Sequence, residues 1–130
     1  MSKLMVKKFA TPDETRPFTH GRMDVIQFEG GIVGRGVFES GWRWSKDVAP
    51  IAGTKSCQVS HAVYVLSGRM HLKMDDGTEE EIGPGDFAVI PPGHDAWTLG
   101  NDACVAFDFA GAAHYAKQAA GARAEPTRTH

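Results

Sequence analysis

Three side chains in this chain have the chemistry of metal ligands. Cys57 and His61 stand four residues apart in CQVSHAVYV, and His94 follows Pro91-Pro92-Gly93 directly. Thiolate and neutral imidazole bind divalent transition metals, so zinc, iron, nickel or manganese is the cofactor such a set would take. On one regular strand, a spacing of four leaves two side chains on the same face but roughly 13 Å apart. Cys57 and His61 can therefore share an ion only where the chain bulges or curves. The alternative is that Cys57 is a small core residue and His61 a hydrogen-bonded interior histidine. His94, after a Pro-Pro-Gly stop, reads as a loop residue, where function concentrates.

A second set is aromatic. Trp42, Trp44 and Trp97 can hold a small molecule by stacking and apolar contact, or can simply fill the core. Trp42 and Trp44 are two apart, which aims both at one face of an extended chain. Lys55 shares the parity of Cys57 and His61 and can pair with an anionic substrate. His20, His71, His114 and His130 read as structural or solvated. No Ser-His-Asp arrangement, phosphate loop or paired-carboxylate site is present in the sequence.

Short strands must position these groups. From Cys57, the residues Cys57, Val59, His61, Val63 and Val65 alternate onto one face, and Met70, Leu72 and Met74 do the same one strand later. His71 then faces away. Ser67-Gly68, Asp75-Asp76-Gly77 and Gly83-Pro84-Gly85-Asp86 supply the turns. The acids Glu79, Glu80 and Glu81 suit a solvated edge. Cys104, Ala106 and Asp108 share one face of the last strand. The run MVKKFA near the start reads as an edge strand, Thr11 to His20 as a loop or arm, and Lys46 to Ser56 as an irregular connection. The one helical candidate is Ala112 to Ala120, stopped by Gly121. Residues 1–110 thus form one β domain, with 111–130 a short helix and a charged tail.

The stretch from Cys57 to Trp97 resembles the cupins. Gly68 matches the glycine closing the first cupin motif, G-x5-H-x-H-x3,4-E-x6-G, and Gly85, Pro91 and Gly93 match G-x5-P-x-G of the second. The family's glutamate position holds His61, its second histidine position holds Cys57, and its first holds Lys55. The histidine position of the second motif holds Ala96, two residues beyond His94. The resemblance implies an all-β fold, a cupin-like double-stranded β-helix or jelly-roll barrel with a short C-terminal helix. It implies a small-molecule-binding barrel, with a divalent metal held by His61, His94 and Cys57 and a ligand against Trp42, Trp44 and Trp97. The alternative is a metal-dependent enzyme of the dioxygenase, isomerase or lyase class.

Composition sets the outer bounds. With 130 residues, 15 glycines and 7 prolines, the chain suits one loop-rich β domain. A net charge of −2 gives no basic patch for nucleic acid or an anionic membrane. Met1 to Phe9 lacks the long apolar run of a secretory leader, so a cytoplasmic protein with reduced thiols is expected. The apolar edge strand expected at Met1–Ala10 invites pairing, which makes a homodimer the expected assembly.

Overall fold

The computed structural model describes residues 3–112. Nine strands follow the turn signals: β1 Glu14–Phe18, β2 Gly21–Phe28, β3 Gly31–Phe38, β4 His61–Ser67, β5 Arg69–Met74, β6 Glu79–Ile82, β7 Phe87–Ile90, β8 His94–Leu99 and β9 Cys104–Asp108. They form two antiparallel sheets, ordered β1-β2-β3-β9-β4-β7 and β6-β5-β8. The two sheets contribute to one apolar core, which includes Met23, Val25 and Val65 from the larger sheet and Met70, Leu72 and Ile82 from the smaller.

The alternation in β4 and β5 holds. Val63 and Val65 are buried in β4, and Met70 and Leu72 in β5. His71 points the other way, onto Trp97 and Glu79. The chain passes from the larger sheet to the smaller at Gly68, whose φ is +76°. A Cβ there would lie 2.2 Å from the carbonyl oxygen of Ala103. Only glycine satisfies both conditions, which ties the sheet-to-sheet joint to the start of β9.

Three expectations are corrected. Residues 3–10 form no strand; Phe9 instead packs on Phe107 at 5.6 Å, beneath Arg35. The edge strand is β1, within the segment expected to be a loop, and its Pro17 is tolerated because an edge strand leaves one side unpaired. Lys46 to Ser56 is not wholly irregular: α1 Trp44–Asp47 runs into it and α2 Ala49–Ala52 lies inside it, the second ending at Gly53 with φ +79°. Four residues are too few for a helical period to show in sequence. The helix expected at Ala112–Ala120 and the tail beyond it lie outside the described residues, apart from Ala112 itself.

Candidate metal centre

Cys57, His61 and His94 meet inside the fold. Their ligand atoms all lie within 4.8 Å of one another, and all three residues are buried. Cys57 Sγ is 3.5 Å from His61 Nε2. This is close to the separation of about 3.6 Å that sulfur and nitrogen ligands have on one tetrahedral zinc. The regular-strand distance fails because Cys57 does not belong to β4. Residues 58–60 have no strand structure, and Cys57 is fixed separately, its N–H donating to the carbonyl of His94 at 2.7 Å. The chain between the two ligands leaves the strand geometry, and the four-residue spacing closes.

His94 is likewise not a loop residue. It opens β8, is 3 % exposed, and bridges to Cys57. His94 and Ala96 are two apart on one strand and both point inward. The displacement of a ligand from the motif position to His94 therefore keeps it on the inner face.

Each imidazole has one nitrogen already committed. His94 Nδ1 donates to the carbonyl of Pro91 at 2.8 Å, and His61 Nδ1 donates to Asp108 Oδ2 at 2.6 Å. Both Nε2 atoms are left as ligands. Asp108 is itself held, since its Oδ1 accepts the N–H groups of Ala110 and Gly111. A carboxylate behind a ligating histidine fixes its tautomer and raises its basicity. Asp108 was not among the sequence candidates, although its parity with buried Cys104 and Ala106 put a carboxylate on an inward face.

The electrostatics follow from this packing. Burial alone would lower the basicity of His61, but its hydrogen bonds to Asp108 and Cys57 outweigh that and raise its pKa to about 9. Burial would likewise raise the Cys57 thiol, yet hydrogen bonds and charge from His61 and His94 bring it down to about 6. Asp108 is held below the usual carboxylate range, burial opposing and His61 prevailing. Near neutral pH the row is thiolate, imidazolium and carboxylate. Cys104, with no such neighbours, is pushed up by burial to about 11 and stays a neutral thiol.

These residues fit a divalent metal: a ready thiolate, two imidazole Nε2 atoms within reach of it, and an oriented histidine. The same three side chains Cys57, His61 and Asp108 also have the order of a nucleophilic triad. A nucleophile, however, must face its substrate, and Cys57 does not line the interior cavity, whereas His61, His94 and Asp108 do.

That cavity is small, about 50 Å³, and its walls are otherwise apolar, from Phe38, Trp42, Trp44 and the inward residues of β5 and β9. No lysine or arginine lines it; Lys55 is exposed. Trp42 and Trp44 lie where the aromatic reading put them, each 2 % exposed. The Trp42 Nε1 proton has no acceptor among the described residues. Trp97 does not join them. In β8, the inward residues are His94, Ala96 and Thr98, so Trp97 faces outward, stacked on His71 at 4.6 Å beneath the Arg43 guanidinium at 4.0 Å. Its expected place beside a ligand is corrected by the same parity that governs His71.

A family model described as "Cupin domain" matches residues 55–109, which span the metal-ligand cluster and Asp108. Over that stretch the chain is similar to the cupin superfamily. The sheets agree with solved cupin structures. A cupin-2 domain protein from Rhodospirillum rubrum is 17% identical, with 83% of this chain and 67% of that one covered at a TM-score of 0.53. The polyketide cyclase RemF from Streptomyces resistomycificus is 18% identical, covering 85% of this chain and 80% of its own at 0.62. A protein of unknown function from Rhizobium leguminosarum is 19% identical, covering 85% and 99% at 0.61. No curated protein matches the chain. The matched stretch carries the Cys-His-His group that could hold a metal.

Proposed function

We propose that this chain binds a small molecule inside a barrel closed by its two sheets, at a divalent metal held by Cys57, His61 and His94. The observation that carries the reading is convergence. Among the described residues, strands β4, β8 and β9 bring His61, His94 and Asp108 to an otherwise apolar cavity, groups able to ligate a metal or to support a ligating histidine. A cavity of about 50 Å³ has room for roughly four waters, so it admits a compact ligand or the reacting end of a larger one. With no lysine or arginine among the described wall residues, the ligand's body is mostly apolar, with an oxygen or nitrogen turned toward His61 and His94. Trp42 and Trp44 pack its body. Free, reduced Cys57 suits a cytoplasmic setting.

One observation favours catalysis over mere binding. Three protein ligands leave a fourth position free, the arrangement of catalytic rather than structural metal sites. A metal bound there supplies Lewis acidity. The protein's part is to orient His61 through Asp108, exclude water with the apolar wall, and hold a proton between His61 Nδ1 and Asp108. It supports the second reading, a metal-dependent enzyme of the dioxygenase, isomerase or lyase class.

Elemental analysis of purified, untagged protein tests the proposal. One equivalent of zinc, iron, nickel or manganese is expected, and it should be lost in His61→Ala with the fold retained. Wild-type protein that takes up no stoichiometric metal after incubation with each of these ions would remove the basis of the reading.

A further inference from the structure

Arg16 is buried on β1, and β2, β3 and β9 stand between it and the strand of His61. A guanidinium below the surface is costly unless its donors find acceptors. Glu14 takes two of them, from Nε at 2.8 Å and from Nη2 at 3.1 Å. Nη1 donates to the carbonyl oxygen of Ala112, a charge-assisted bond that ties the edge strand to the segment following β9.

A bare strand makes this crossing possible. The registers set Gly34 of β3 between Val25 of β2 and Asp108 of β9. A Cβ on Gly34 would lie 2.8 Å from Ala112 Cβ and 2.7 Å from Met23 Sδ, so the returning segment occupies the space that a side chain would fill. Ala112 is completely buried there. The two N–H groups just before it, on Ala110 and Gly111, both donate to Asp108 Oδ1, at 3.0 and 2.8 Å. Oδ2 of the same carboxylate receives His61 Nδ1. Gly111 also packs onto that bond: a Cβ on it would meet His61 Nδ1 at 2.5 Å and Asp108 Oδ2 at 2.9 Å. The donors that aim Asp108 are thus held between the end of β9 and a carbonyl gripped by Arg16.

We infer that Arg16 is a positioning residue for the metal centre. By holding Ala112 it keeps Ala110 and Gly111 on Asp108, and through Asp108 it fixes the His61 imidazole. The inference rests on the metal reading above and adds to it a residue from the far edge of the sheet. A latch that served stability alone would leave the zinc affinity of the folded protein untouched; a positioning residue lowers it.

Zinc competition against a chelating dye, with the full chain, separates the two. Arg16→Met keeps the length of the side chain and removes its donors, and should weaken zinc about tenfold, the low end of the loss seen when a ligand's supporting partner is removed. Arg16→Lys, which restores a cationic donor, should recover most of that. In an Asp108→Asn background, Arg16→Met should cost little more, because the two changes break one path and their effects do not add. In the metal-free protein, Arg16→Met should also speed hydrogen exchange at the Ala110 and Gly111 amides. Circular dichroism checks folding, and if Arg16→Met does not fold, the milder Arg16→Gln carries the same comparisons. Unchanged zinc affinity in the folded variant, or a loss that simply adds to that of Asp108→Asn, would overturn the inference and leave the metal reading standing. A wild type that takes up no zinc, iron, nickel or manganese would remove both.

Discussion

The His61 imidazole and the Asp108 carboxylate are joined at 2.6 Å in the interior, although 47 residues separate them in the chain. That contact decides which nitrogen of His61 is left for a metal. Replacing Asp108 by asparagine keeps the shape and removes the charge. Asp108→Asn should therefore fold but bind zinc about 10- to 100-fold more weakly, the usual effect of losing such a partner. Competition against a chelating dye reads this directly, and unchanged affinity would show that Asp108 does not orient the ligand.

Metal affinity should depend steeply on pH. Each ligand must lose its proton before it binds, and in the free protein His61 holds its proton up to about pH 9 and Cys57 up to about pH 6. Between those values binding releases the His61 proton, so affinity rises about tenfold per pH unit. Below pH 6 both groups must deprotonate, and the slope becomes about twice as steep. Above pH 9 the contribution of this pair levels off. Zinc titrations across the range, with proton release followed by an indicator, check both slopes.

Cys57 should leave a spectroscopic mark. Cobalt bound to wild type should show sulfur-to-metal charge transfer in the near ultraviolet, and Cys57→Ser should lose that band while still binding the ion more weakly through His61 and His94. His71→Ala should change neither, since His71 lies on the outer face with Trp97 and Glu79. An equally intense band in Cys57→Ser would exclude the thiolate as a ligand.

The tryptophans divide by face. Trp42 and Trp44 line the cavity, so a small apolar probe with one hydroxyl, such as phenol, should quench their emission on entry. Trp44→Ala should alter phenol affinity. Trp97→Ala should leave it unchanged within error and reduce only the constant emission from the outer face. Loss of binding in Trp97→Ala alone would place the ligand elsewhere.

The frame of this fold is legible in sequence because alternation and turn glycines are local signals. Val63, Val65, Met70 and Leu72 fall inward as their parity requires, and Gly68 marks the joint between sheets. What is not legible comes from contacts between distant segments. Cys57 and His61 look too far apart until the irregular backbone at residues 58–60 and the backbone bond to His94 are known. β1 is hidden because Pro17 argues against a strand anywhere except an edge, and edges are not visible in sequence. Trp97 is the opposite case: parity with His94 already assigned it outward, and its aromatic character obscured that.

Arg16, in the first strand, is buried and donates to the carbonyl of Ala112, 96 residues later, beside Gly111 and the His61–Asp108 pair. A Cβ on Gly111 would come within 2.5 Å of His61 Nδ1, so the chain must pass bare at this point. The segment that finishes the centre is therefore synthesised after all three candidate ligands, and it is latched by Arg16 of β1. On a ribosome, Cys57, His61 and His94 emerge before Asp108 and Gly111 can steady them. A truncation before residue 108 would leave Cys57, His61 and His94 without the carboxylate that orients His61.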